Sequence, residues 1–253
     1  MMQNLLWTAT LPENTRDFQS IDLFLINMAE TNLHERFHHI LQESELSVAN
    51  AYIQEHRHHL SIASRSALRL LLAYYLNEHP AEITLHKNEF KKPLLEEKYN
   101  FYFNVSHTND QILIGFSRIG LIGVDMESIQ TNVDWRMIAR RYFSPAEKAK
   151  IDNAENPQYA FFELWTAKEA FMKGVGSGFQ FPLHHYFIDY EDDEFGKVIS
   201  TIPLYPPDWK IRNIELPQEC VGAISTPTNV RNVRCFLFTN HLINQIAASW
   251  NLP

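Results

Sequence analysis

From Arg57 to Leu76 the stretch RHHLSIASRSALRLLLAYYL sets apolar residues at helical spacing in an Ala/Leu-rich composition, which predicts a helix. HPAE ends it, ITLHKNEF predicts a strand, and FYFNVSHTNDQILIGFSRIG predicts a hairpin turning at Asn109–Asp110. A similar order recurs further on. NPQYAFFELWTAKEAFMKGVG predicts a helix that starts near Asn156–Pro157 and stops at Gly174 or Gly176. HHYFIDY reads as a strand with alternating aromatics. WKIRNIEL and CVGAISTP read as a second hairpin turning at LPQE, and VRCFLFT reads as a further strand.

A helix, a strand and a hairpin in each half predict a duplicated α+β unit: two similar α/β subdomains, residues 1–118 and 119–253, related by a pseudo-twofold. The site is expected at their interface, since clefts between domains are common ligand sites. The match is one of element order and not of residue identity.

Composition narrows the function classes. The chain has 253 residues, 45% hydrophobic and 21% charged, which is ordinary for a globular protein. A formal net charge of -8 argues against nucleic-acid binding, which needs surplus Lys and Arg, and leaves cations as partners. No apolar run is long enough to cross a bilayer, and the N-terminal MMQNLLWTATLPENTRD lacks the basic start and long apolar segment of a signal peptide. Cys220 and Cys235 are too few for a disulfide framework. The expectation is a cytoplasmic protein without a membrane span.

Three stretches carry candidate chemistry. In LIGVDMES a strand would project Asp125 and Glu127 from one face and Ile122, Val124 and Met126 from the other, with Gly123 leaving room for a ligand beside Asp125. In LWTAKEAFMKGVGSGF a helix would align Trp165, Glu169 and Lys173 on one face. Taken alone, the acids are a solvated edge and Glu169 with Lys173 a surface ion pair. Brought together, three carboxylates would repel one another unless a cation lay between them, and all-oxygen ligation suits Mg²⁺. The third stretch, FNVSHTND, holds Ser106 and His107, whose side chains diverge on an extended chain and so make a poor nucleophile–base pair. His107 is either a structural histidine or a phosphate or sugar contact. EFKKPLL, with Lys91 and Lys92, reads as a solvated turn.

A different chemistry is offered by His34-Glu35-Arg36-Phe37-His38, which matches the H-E-x-x-H pattern of zinc peptidases. It lies in a His-rich region that favours chance matches, and no third ligand follows at the extended spacing.

IGVDMES followed by LWTAKEAFMKGVGSGF resembles the paired signatures of the Sfp-type 4'-phosphopantetheinyl transferases, written (V/I)-G-(V/I)-D and W-(S/T/C)-x-K-E-(A/S)-x-x-K. FNVSH resembles a further signature, and KKP stands where the family often has GKP, so Lys91 replaces the usual glycine. The resemblance spans about residues 57–179. It implies a pseudo-twofold monomer that binds coenzyme A and Mg²⁺ between its halves. The implied reaction transfers 4'-phosphopantetheine to a serine hydroxyl of an acyl or peptidyl carrier protein and releases adenosine 3',5'-bisphosphate. By motif, Asp125, Glu127 and Glu169 would hold the metal. Glu169, directly or through water, would also deprotonate the serine, and Lys173 would neutralise charge on the transferring phosphate or leaving group. Lys92, Ser106 and His107 would contact coenzyme A, as would Lys168, which points elsewhere on the helix than Glu169. Arg57 and Arg65 resemble basic positions near the nucleotide 3'-phosphate. For the carrier, NVDWRMIARRYF offers Arg136 and Arg140 with Trp135 and Met137 as a basic and apolar patch; the same segment also reads as an amphipathic helix with solvated arginines. A non-catalytic coenzyme A or carrier-protein binder on the same fold is the alternative reading, and the zinc peptidase is a more remote one.

Overall fold

The alternation between Tyr102 and Ser117 closes, in the computed structural model, into an antiparallel hairpin whose turn residue Asn109 adopts the left-handed φ of 49° that Asn tolerates. The described residues are 5–253 except 14–16, 18, 130–132, 177–182, 191–194, 205, 207, 218, 228 and 229. The end of the glycine-rich stretch (Ser177 to Phe179) and Gln218 of the LPQE turn therefore lie outside them.

The fold is α+β. Its strands are β1 (Trp7–Thr8), β2 (Ser20–Asn27), β3 (His86–Lys87), β4 (Pro93–Leu94), β5 (Tyr102–Thr108), β6 (Gln111–Ser117), β7 (Gly123–Ser128), β8 (Tyr186–Asp189), β9 (Gly196–Ser200), β10 (Lys210–Glu215), β11 (Cys220–Thr226) and β12 (Asn232–Leu237). Its helices are α1 (Leu33–Arg36), α2 (Glu43–Asn50), α3 (Glu55–Leu76), α4 (Trp135–Tyr142), α5 (Pro145–Asp152), α6 (Pro157–Val175) and α7 (Asn240–Ser249). Two five-stranded sheets form, ordered β1-β12-β2-β6-β5 and β7-β11-β10-β9-β8.

Each sheet carries one long helix. Leu68, Leu71 and Leu72 of α3 bury against Phe24, Ile114 and Phe116 of the first sheet. Ala167, Ala170 and Phe171 of α6 bury against Ile211 and Ala223 of the second. Every such fully buried Leu, Ile or Phe contributes roughly 1.5–3 kcal/mol. The ends of α6 follow the residues that predicted them. Asn156 caps the first turn by accepting from the Tyr159 N–H, Pro157 opens the helix, and Gly176 closes it at φ 78°.

Two elements depart from the pattern. ITLHKNEF pairs only through His86 and Lys87, because the Asn88 carboxamide oxygen accepts from the Phe90 and Lys92 amides and folds the chain into a tight loop. The strand read in VRCFLFT does not extend the second sheet. It is β12, parallel to β2 in the first sheet, where Arg234 pairs with the buried Asp22 at 2.6 Å. Helix α7 then packs on the first core, so residues 232–249 return to the N-terminal sheet while the break at 118/119 falls between β6 and β7.

The sheets meet through apolar faces. Ile122, Val124 and Met126 of β7 pack on Leu23, Leu25 and Leu113, and a Cβ on Gly115 would lie 2.6 Å from Val124 Cγ1. The opposite face of β7 takes α6. A Cβ on Gly123 would lie 1.9 Å from the Ala170 carbonyl oxygen and 2.4 Å from the Gly174 nitrogen. The space expected for a ligand beside Asp125 is thus filled by the helix backbone, and the missing side chain sets the strand–helix distance. Gly123→Ala is expected to lower stability by at least about 2 kcal/mol in a denaturant titration, because backbone cannot yield as a flexible side chain would. Wild-type stability in that variant would contradict this packing.

Candidate active site

Strand period places Asp125 and Glu127 on the face of β7 that looks toward α6, and helix period brings Glu169 and Lys173 to meet them. Asp125 is 1% exposed, and its Oδ1 accepts from Lys173 Nζ at 2.5 Å and from Ser106 Oγ at 2.8 Å. Its other oxygen, Oδ2, is buried without a protein partner. Burial first, and the Asp125 charge second, push the Glu127 carboxyl up to about 7. The same two causes push Glu169 up to about 8, with Glu127 adding to the rise and Lys173 opposing it. Three acids therefore share one ammonium, and burial makes their charge costly.

The first sheet supplies the frame for this cluster. Asn104, Ser106 and Thr108 alternate along β5 and accept from the backbone amides of Val124, Met126 and Ser128 at 2.8, 3.3 and 3.4 Å. The Ser106 hydroxyl also accepts from Lys173 Nζ at 2.8 Å while donating to Asp125. Its one proton and both lone pairs are then engaged. Ser106, expected to touch coenzyme A, bridges the two strands and the lysine.

Beside this row, His107 lines a cleft of about 200 Å³ with Arg65, Ser64 and Leu68 of α3, Asn104, Val105, Lys87 and Lys91. The imidazole stays open to solvent at one edge, and neighbouring atoms, then Lys173, lower its pKa. Arg57 is exposed in the first turns of α3 and does not line this cleft.

Two lysines stand away from the cluster. Lys168 is fully buried, paired with the Glu147 carboxylate at 3.0 Å and donating to the Leu183 and Tyr186 carbonyls at 3.0 and 2.9 Å. It faces away from Glu169, as one residue's step around a helix requires, and it ties α6 to the Glu147 that caps α5. Lys92 sends its ammonium to the Ile122, Lys173 and Gly174 carbonyls at 3.3, 2.5 and 3.0 Å, and burial pulls its pKa down to about 8. A cation on the last carbonyls of α6 is favoured by the helix dipole. Both amines are engaged by protein oxygens.

The H-E-x-x-H pattern does not fold as a zinc helix. Helix α1 ends at Arg36, so His34 and His38 are not on successive turns of one helix. His34 stacks on His59 at 4.4 Å, and His38 Nδ1 meets the Glu35 carbonyl. Among the described residues no group of three or more His, Cys, Asp or Glu stands as a ready metal cage.

Trp135, expected at a partner surface, is buried against Phe161 at 5.8 Å, with the Arg136 guanidinium 4.1 Å over its ring. Met137 is 62% exposed. Arg136, Arg140 and Lys148 line a groove of about 250 Å³ between α4 and α5.

Residues 121–223 match the sequence model of the 4'-phosphopantetheinyl transferase superfamily, and residues 29–117 match that of the 4'-phosphopantetheinyl transferase N-terminal region. The chain is 29% identical over 191 residues to the 4'-phosphopantetheinyl transferase HetI of Nostoc sp., covering 73% of this chain and 78% of that one. It is 32% identical over 131 residues to the 4'-phosphopantetheinyl transferase gsp of Aneurinibacillus migulanus, covering 51% of this chain and 53% of that one. It is 34% identical over 110 residues to the 4'-phosphopantetheinyl transferase AcpT of Escherichia coli K12, covering 43% and 55%. The matched stretch thus spans about half the length of the last two.

The acids give the site a pH signature. In the folded chain Glu127 and Glu169 keep protons up to about 7 and about 8, whereas an unfolded glutamate loses its proton near 4.5. The folded state therefore binds more protons between these limits, and stability falls as pH rises through them. In chelating buffer the thermal midpoint of wild type, relative to an E127Q/E169Q double variant, is expected to decline from about pH 4.5 to about 8 and to level off above. A difference that grows with pH would contradict the burial of these carboxyls.

Proposed function

The chain belongs to the 4'-phosphopantetheinyl transferase superfamily and is an enzyme of that class, and from this premise we propose that it moves 4'-phosphopantetheine from coenzyme A to a serine hydroxyl of an acyl or peptidyl carrier protein, with Mg²⁺, releasing adenosine 3',5'-bisphosphate. The observation that carries the reading is the set of buried Asp125 and half-buried Glu127 and Glu169 around the Lys173 ammonium.

The residues fit a hard divalent cation. Their donors are all carboxylate oxygens, Asp125 Oδ2 is buried without a partner, and the pKa values of Glu127 and Glu169 are raised first by burial and then by the Asp125 charge, which a cation would offset. Such a cation, held by Asp125, Glu127 and Glu169, would supply charge neutralisation at the pyrophosphate.

The chain's own groups account for the rest. The serine oxygen forms a bond to the phosphorus that bears pantetheine, the phosphorus–oxygen bond to the nucleotide half breaks, and the serine proton passes to the Glu169 carboxylate. The carboxylate is the form that accepts this proton, and a cation on the acids would favour it by lowering the pKa that burial and the Asp125 charge raise. Lys173, fixed by Asp125 and Ser106, presents its cation to the oxygens where charge accumulates. Arg65 and His107 line the cleft that would take the nucleotide end. The carrier would meet α4 through the exposed Arg136, Arg140 and Met137, whose charge complements an acidic helix.

Incubating the protein with coenzyme A, Mg²⁺ and apo carrier proteins, and weighing the carriers, tests the reading. Wild type is expected to add one phosphopantetheine, and Glu169→Gln to slow the transfer by about 10²–10⁴-fold while keeping the fold. No mass gain on any acyl or peptidyl carrier would overturn the function, and a Glu169→Gln variant of wild-type rate would overturn the site.

A further inference from the structure

The loop between β3 and β4 carries two adjacent lysines whose tasks differ. Lys92 is spent on the end of α6, its three ammonium protons matched by three backbone carbonyls. Lys91 adopts φ 65°, a left-handed conformation that glycine enters without steric cost and lysine does not. The loop imposes it. Lys91 N–H donates to the Asn88 carbonyl at 2.9 Å, and the Asn88 amide donates to the Lys92 carbonyl at 3.0 Å. Asn88 Nδ2 also donates to the Gly176 carbonyl, which clamps the loop to the end of α6. A side chain kept where the backbone asks for glycine points to a use for that side chain.

The surroundings of Lys91 show the use. It lines the cleft of about 200 Å³ with Arg65, Lys87 and His107. The acid in the lining, Glu45, is bound to the buried Arg69 at 2.7 Å. Lys91, Lys87 and Arg65 make no ion pair among the described residues, so their charge faces the cleft unopposed. This cleft and the acid cluster share strand β5: Ser106 reaches Asp125, and Asn104, Val105 and His107 beside it line the cleft. Coenzyme A carries its phosphates in two places, a pyrophosphate and a ribose 3'-phosphate. With the pyrophosphate at the acid cluster, where its bond is cut, a phosphate monoester remains for the cleft.

We propose that Lys91, standing at a glycine-like position, binds the ribose 3'-phosphate of coenzyme A and makes the protein select coenzyme A over its dephosphorylated form. This rests on the coenzyme A reading above. A charge-assisted contact to a phosphate dianion accounts for about a tenfold change in affinity.

Calorimetric titration of the full chain with coenzyme A and with dephospho-coenzyme A tests it without any carrier protein. Lys91→Gly is expected to keep or raise the thermal midpoint, to weaken coenzyme A about tenfold, and to leave dephospho-coenzyme A unchanged. Lys91→Arg is expected to keep wild-type selectivity. A Lys91→Gly variant that binds coenzyme A as wild type does, or that weakens both ligands equally, would overturn the assignment. Wild type that binds neither ligand would overturn the coenzyme A reading together with it.

Discussion

Strand β7 ends its sheet, and its outward backbone amides would be an open edge were they not taken by side chains of β5. Asn104, Ser106 and Thr108 rise with period two along one strand and accept from Val124, Met126 and Ser128, which rise with the same period along the other. Two edge strands of separate sheets are thereby joined by a row of side-chain-to-backbone hydrogen bonds in place of a ladder. Buried amides left unpaired would each cost about 1–3 kcal/mol, so this row fixes the register of β7 against the first sheet. Everything at the site inherits that register. A slip of one residue would turn Asp125 and Glu127 into the apolar seam and bring Val124 and Met126 toward α6.

On the other side of β7 the distance is set by absence of bulk. Gly123 lets the backbone of α6 lie against the strand, and Gly174 lets the same helix lie against Trp209 and Ser225. The helix end is then held by Lys92 from the neighbouring loop and its middle by the Lys168–Glu147 pair. Lys173 and Glu169 are presented between these supports. The resulting imbalance of three carboxyls to one ammonium stores electrostatic tension that a phosphate-bound cation would release.

Much of this was legible in the chain. Period two predicted that Asp125 and Glu127 share a face, and period 3.6 predicted that Trp165, Glu169 and Lys173 share another. The caps of α6 were legible because Asn156, Pro157 and Gly176 each act locally. What stayed hidden depends on contacts between distant segments. No local signal in VRCFLFT says that it pairs with SIDLFLIN, some two hundred residues earlier, because both are short apolar strands and parallel pairing leaves no turn to read. The tasks of Lys92 and Lys168 were hidden for a similar reason: a lysine beside a motif reads as a ligand contact until the carbonyls around it are known. Ser106 could have been read differently. Asn, Ser and Thr at alternate positions of an otherwise apolar strand are a polar stripe that calls for partners on a neighbouring strand.

The dependence of the site on the β5–β7 row is open to one direct measurement, amide hydrogen exchange at Val124, Met126 and Ser128 in wild type and in Ser106→Ala. Wild-type amides at these three positions should be protected like interior strands, and Ser106→Ala should speed exchange at Met126 by tenfold or more. Exchange in wild type at the rate of an open edge, or a Met126 amide indifferent to the loss of Ser106, would contradict the account.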